Sequence, residues 1–185
     1  MTGFAVTVDP SVGLACRLLG ALIFATAAAG KLRHRHELAG VVANYRLLPE
    51  PLAAAAGWMI VGLEILTAVS LASGVRLEAG TALAIALLCV FALAMGVNLA
   101  RGRREIDCGC FQSGLRQRLS AGLLVRNFLV SVALVPLLGV TIPPARPLQW
   151  IDGLGAGLAA YALYRAFEQL LSLRHSSAEL QKRFA

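Results

Sequence analysis

Two cysteines separated by a single glycine, Cys108-Gly109-Cys110, are the residues of this chain most directly suited to chemistry. Thiols at this spacing can close a small, strained disulfide, and the glycine lets the backbone take the turn that such a ring demands. Strain raises the reduction potential, which favours exchange with another thiol pair over permanent cross-linking. Arg103, Arg104 and Arg116 nearby would lower a thiol pKa, whereas Glu105 and Asp107 act the other way. Cys108 and Cys110 are therefore the candidate catalytic pair of a thiol–disulfide oxidoreductase, one attacking a partner disulfide and the other resolving the mixed disulfide. Two other readings stay open. Together with His34 and His36 the thiolates could complete a tetrahedral zinc or Cu(I) site, or they could form a structural bond or have no role. The run Lys31-Leu32-Arg33-His34-Arg35-His36 reads more readily as a basic patch touching lipid headgroups.

A second group of residues is notable for its setting. Glu64 lies near the middle of an apolar stretch, where an ionised carboxylate costs several kcal/mol, roughly, unless it is paired or protonated. Ser120 is a plausible helix N-cap, and Arg126 follows six residues later, about 9 Å along a helix. Asn127 comes next, and Asn98 lies near the loop end of the preceding apolar stretch. Asn98, Arg126 and Asn127 are thus expected to gather just beneath the thiol pair, with Glu64 as a further supporting group. Glu64 and Arg126 would line a polar pocket between helices, serving a quinone or a proton path, or form a structural interhelical pair or hydrogen bond. Thiol exchange itself requires no cofactor; a quinone is the one such a pocket could serve. Cys16 and Cys89 sit in apolar runs and are expected to act as small hydrophobes.

The elements that position these groups follow from composition. Of the 185 residues, 58% are hydrophobic and only 15% charged, and the mean hydropathy is +0.72. A soluble domain carries closer to a quarter charged residues, roughly. The net charge of +7 does not indicate nucleic acid, because most of the 17 Lys and Arg residues lie between or after apolar runs, without interleaved aromatics. A bilayer core of about 30 Å needs about 20 helical residues. Five stretches meet this, at about 12–30, 52–74, 79–100, 121–140 and 151–173. The first and fifth are interrupted by Arg17, Asp152, Arg165 and Glu168, with Arg17 expected to snorkel to its near surface. The expected fold is an all-α integral membrane protein, a bundle of four core transmembrane helices plus a fifth C-terminal helix. A single transmembrane domain then covers 1–174, and 175–185 is a polar tail.

The connections agree with this division. A tight turn at Val75-Arg76-Leu77-Glu78 makes the second and third spans antiparallel neighbours. Between about 36 and 48, Leu38, Val41, Val42, Tyr45 and Leu48 recur at helical spacing, which predicts an interfacial helix ended by Pro49 and Pro51. Gly57, Gly62, Ala92, Ala94 and Gly96 would permit close helix packing. No Lys or Arg precedes the first apolar run and no convincing cleavage site follows it, so it is expected to remain as a span.

Several of these elements together resemble the MauE/DoxX group of small membrane proteins, and within it most of all the MauE family. They are Gly30-Lys31-Leu32, Asn44-Tyr45-Arg46-Leu47-Leu48-Pro49, Glu64, Asn98 to Gly102, Asp107-Cys108-Gly109-Cys110-Phe111 and Arg126-Asn127, in a resemblance that runs from the first span through the fourth, about two-thirds of the chain. Gln112 departs from the family pattern, which has glycine after the phenylalanine; here Gly114 comes two positions later. The resemblance implies a thiol-redox accessory of a bacterial-type cell membrane, multi-pass. Beside a thioredoxin-like protein, it would assist disulfide formation in an exported client such as the methylamine dehydrogenase small subunit. A non-catalytic membrane assembly or transport factor is the alternative.

Charge and resemblance disagree on sidedness. Five Lys/Arg in 101–120, four in 31–51 and three from Arg174 onward place the thiol loop in the cytoplasm, where thiols are kept reduced. On the charge rule, with Cys16 and Cys89 replaced by Ala, an impermeant maleimide reaches Cys108 and Cys110 only after the cells are opened. Labelling of intact cells that appears after mild reduction overturns that placement and puts an oxidised pair outside.

Overall fold

The computed structural model describes residues 7–103, 106, 119–139 and 143–184, with side chains through residue 170. Six helices follow one another: α1 (Pro10–Arg33), α2 (Arg35–Asn44), α3 (Glu50–Ser73), α4 (Leu77–Ala100), α5 (Ala121–Leu134) and α6 (Pro147–Phe184). Helices are the expected solution in an apolar medium, because they satisfy their backbone groups internally. Hydroxyls inside them do the same. The buried Thr67 and Thr81 donate to the carbonyls four residues back, at 2.7 and 2.8 Å.

Sequence punctuation accounts for the helix ends. Asp9 caps α1, accepting from the Ser11 backbone N–H at 2.9 Å, and Pro10 opens the first turn. Gly74 closes α3 in the left-handed conformation (φ 75°), with its N–H on the Ser70 carbonyl. Pro136 ends α5 early, since it lacks an N–H and crowds the preceding turn, and Val135–Leu137 tighten into a 3-10 turn.

Among the described residues, three helices, α1, α3 and α4, are long and apolar enough to cross a membrane. The expected fourth and fifth spans differ from expectation. Ala121–Leu137 is apolar but short, a consequence of Pro136. α6 begins earlier than the fifth expected stretch, at Pro147, and continues through Phe184, taking in most of the polar stretch 175–185. Its 38 residues reach about 57 Å, but Asp152, Arg165 and Glu168 dilute its apolar character.

α1 lies between α3 and α6, while α4 packs against α3 and α5. The expected hairpin of the second and third spans is present as α3 and α4, joined by Gly74 to Arg76. Phe24, Leu71, Ala84 and Leu134 form the buried centre. A smaller cluster of Met95, Leu119 and Leu123 lies nearer the thiol loop. Arg17 does not simply reach for the surface. Its guanidinium donates to the last carbonyls of α3, Leu71 and Ala72, both at 3.1 Å, where the helix dipole favours a cation.

Close approach depends on particular glycines. Of those expected at helix contacts, Gly57 faces Leu38 of α2, Gly62 meets nothing within 4 Å, and Gly96 makes only an ordinary contact. A close approach joins α6 to α1, which run in the same direction. A Cβ at Gly153 would stand 2.7 Å from Leu14 Cβ, and one at Gly157 would stand 3.0 Å from the Ala15 carbonyl oxygen. Replacing Gly153 with Val should therefore destabilise the detergent-solubilised protein by about 1–3 kcal/mol through overpacking. Gly155→Val, at a position with nothing within 4 Å, should leave unfolding unchanged, and equal effects would contradict this packing.

Candidate functional site

The buried charges of the bundle occur as two sets. Lys31, in the last turn of α1, places Nζ 2.6 Å from Glu64 Oε1 on α3, and both side chains are buried. The ammonium also lies 5.6 Å from the centre of the Phe91 ring on α4. Lys31 is thus not part of a headgroup patch. The carboxylate inside the bundle recruits it, whereas Arg33, Arg35 and His36 are exposed.

The second set joins α5 to α6. Arg126 forms an ion pair with Glu168 Oε1, which also accepts from the Tyr164 hydroxyl at 3.0 Å. Arg165 reaches Glu168 Oε2 at 3.2 Å. The Arg126 guanidinium lies 5.5 Å from the centre of the Tyr164 ring and donates to Asn127 Oδ1 through Nε and Nη2, at 3.3 and 3.0 Å. That bond fixes the Asn127 amide, because the opposite orientation would set its NH₂ against the guanidinium. Its Nδ2 is buried without a hydrogen-bond partner among the described residues.

Between the two sets lies a cavity of about 350 Å³, within the ~300–1,000 Å³ of small-molecule sites. Lys31, Glu64, Arg126, Asn127 and Tyr164 all line it, in a wall that is otherwise mainly apolar. Glu64, Arg126 and Asn127 thus line one cavity, and Glu64 and Arg126 pair with Lys31 and Glu168, not with each other. Asn98 stands apart. It is fully buried, donates to the Ala94 carbonyl at 3.0 Å and accepts from Arg103 at 3.1 Å, anchoring the start of the thiol loop.

α2 covers most of the stretch expected as an interfacial helix, and it forms a wall of the cavity. Leu38 packs over Gly57, and Leu38, Val41 and Val42 line the cavity. The helix ends at Tyr45, and Arg46 adopts a left-handed φ of 49° before Pro49. His34 caps α1 and donates from Nδ1 to the Gly30 carbonyl at 3.0 Å. No group of three or more His, Cys, Asp and Glu residues that could hold a metal occurs among the described residues. Cys108 and Cys110 lie outside those residues, and the proposed ligand set with His34 and His36 lies outside with them. Cys16 packs on the apolar core and Cys89 is exposed on α4.

Lys31 and Glu168 are the site residues that sequence reasoning passed over. Each had been assigned elsewhere, Lys31 to a basic run and Glu168 to a weak span. The signal was present in charge balance: an apolar helix carrying one carboxylate calls for a cation opposite, and one carrying an arginine calls for an anion.

An all-helical membrane protein whose buried charges are matched across helices around an apolar cavity is the class that this arrangement defines. The family described as "Methylamine utilisation protein MauE" matches residues 9–139, and the chain belongs to that family. It is 39% identical to the methylamine utilization protein MauE of Paracoccus denitrificans over 160 residues, 85% of this chain and 86% of that one. The protein of the same name from Methylorubrum extorquens is 40% identical over 178 residues, 94% of each chain. That from Methylophilus methylotrophus is 36% identical over 176 residues, 95% of this chain and 88% of that one. No solved structure matches. The family match ends before α6, so Glu168, the partner of Arg126, lies beyond it.

Breaking one ion pair tests its weight. Lys31→Met removes the cation balancing Glu64 and should cost about 3–5 kcal/mol in detergent unfolding, whereas Lys31→Met combined with Glu64→Leu should recover most of the loss. Equal stability of the single and double variants would show that the two charges are not coupled.

Proposed function

We propose that this protein is a membrane thiol-redox accessory that assists disulfide formation in an exported client during methylamine utilisation. Cys108 and Cys110 carry the exchange. A thiolate of a reduced thioredoxin-like partner attacks the Cys108–Cys110 disulfide, and the partner's second thiolate resolves the mixed disulfide, so the partner leaves oxidised and Cys108 and Cys110 are left as two thiols. The client is a disulfide-rich protein such as the methylamine dehydrogenase small subunit. Membership of the MauE family supports the pathway, and the two-thiol element supports the chemistry.

The observation that carries the reading is where the thiol loop is rooted. The Leu119 N–H donates to the Ile106 carbonyl at 3.2 Å, closing residues 107–118 at their base. Ile106 and Leu119 belong to the apolar cluster around Met95 and Tyr45, two residues that also line the cavity. The two described ends of the connection that carries the thiols thus pack into the cluster that borders the polar pocket.

In this proposal α5 and α6 complete the crossing as fourth and fifth helices of a multi-pass protein in a bacterial-type cell membrane. The parallel course of α6 and α1 supports that count, since an odd number of crossings separates the two ends. Replacing Cys108 and Cys110 with Ser should abolish formation of the client's native disulfides, read by thiol trapping of the small subunit in cells. Full client maturation in that variant would favour a scaffold, and stoichiometric zinc or copper that depends on His34 and His36 would favour a metal site.

A further inference from the structure

We propose that the cavity between the two ion pairs binds a neutral, lipid-soluble molecule with a carbonyl head, of the quinone class, drawn sideways from the bilayer. Charge comes first. Lys31 is balanced by Glu64 and Arg126 by Glu168, so an ionic ligand would have to break a buried pair to enter. The occupant is therefore neutral. Asn127 then selects a hydrogen-bond acceptor, because its Nδ2 stands buried in the cavity wall with its donors unmet among the described residues. Lys31 Nζ, which gives one hydrogen to Glu64, carries two more. A carbonyl oxygen meets both kinds of donor.

The rest of the wall indicates the body of the ligand. Phe24, Phe91 and Tyr45 offer ring surfaces to a planar head, and the remaining lining is mainly aliphatic. The cavity also reaches the surface along an apolar rim. Val90, Leu47 and Leu48 line it and are 55%, 41% and 45% exposed. Val90 belongs to α4, a helix long and apolar enough to cross the bilayer, so its part of the rim faces acyl chains and not water. Phospholipid esters also carry carbonyls, but they lack the flat ring that the aromatic wall accommodates.

A quinone also completes the proposed chemistry, and in this respect the inference rests on the thiol reading. Oxidation of the Cys108–Cys110 dithiol forms one S–S bond and releases two electrons and two protons. The quinone takes up both electrons and both protons and becomes a quinol, so the exchange balances without a further reactant.

The test uses the full chain in lipid nanodiscs, titrated with a decyl-tailed benzoquinone, with decylbenzene and a short diacyl phospholipid as controls. Saturable binding of the quinone is expected, together with a rise in the unfolding temperature, and decylbenzene should produce neither. Asn127→Leu should weaken the quinone about tenfold, the effect of losing one buried hydrogen bond. Val90→Trp alters only an exposed rim position, so it should block entry without affecting the fold. The Cys108→Ser/Cys110→Ser variant should bind as well as the unaltered protein. Absence of saturable binding would overturn the inference, as would decylbenzene or phospholipid binding equal to that of quinone and indifferent to both variants. These results are independent of client maturation, so a chain that fails to bind quinone yet still needs its cysteines would leave the thiol role standing.

Discussion

A carboxylate in the middle of an apolar helix cannot stay ionised without a cation nearby, and Glu64 imposes that requirement on everything around it. Lys31 meets it from the last turn of α1, 2.6 Å away, and the contact ties α1 to α3 at a definite register. Bringing two charges out of water costs several kcal/mol per ion, roughly, and their attraction repays this only with good geometry. The pair is therefore better understood as a specificity device than as a source of stability. It discriminates against any packing of α1 on α3 that leaves either charge facing hydrocarbon.

The same logic recurs between α5 and α6. Arg126 and Glu168 are joined by Tyr164, Arg165 and Asn127, so that each oxygen of the carboxylate accepts a charged donor. Two such sets on different helices hold the walls of the bundle in place where apolar packing alone would be permissive. Lipid tails are as apolar as leucine, so there is little hydrophobic drive to bring transmembrane helices together. Glycine contacts supply close packing at one end, through Gly153 and Gly157 against α1, and buried polar contacts supply direction elsewhere. The cavity exists because these contacts hold six helices around a space that side chains do not fill.

Above that space, α2 and the rooted ends of the thiol loop make a second layer. Leu38 seats α2 on Gly57, and Arg103 is held by the buried Asn98. Residues of the loop base, of α2 and of the cavity thus share one apolar cluster, linked through Tyr45, Phe91 and Met95. The described ends of the connection between α4 and α5, Ile106 and Leu119, thus pack into the cluster that borders the cavity.

Much of this was legible in order along the chain. Apolar runs of about 20 residues locate helices, because the bilayer thickness and the helical rise leave few alternatives. Gly74, Pro49 and Pro136 mark helix ends, since their backbone chemistry is local. Glu64 and Arg126 could be singled out because charge in an apolar run is conspicuous wherever it occurs. Pairing was not legible. Lys31 was hidden beside four neighbouring basic and histidine residues, and Glu168 among the polar residues of a weak span, because sequence records that a charge exists but not which helix faces it. By itself the sequence determined the helical medium, the element ends, the thiol pair and the presence of buried charge, all of which depend on residue type and short-range spacing. Only the tertiary structure decided that Glu64 is matched by Lys31 and Arg126 by Glu168, and that a cavity lies between them. Those facts depend on how α1, α3, α5 and α6 are rotated and set against one another, and a helix can be turned about its axis without changing its residues.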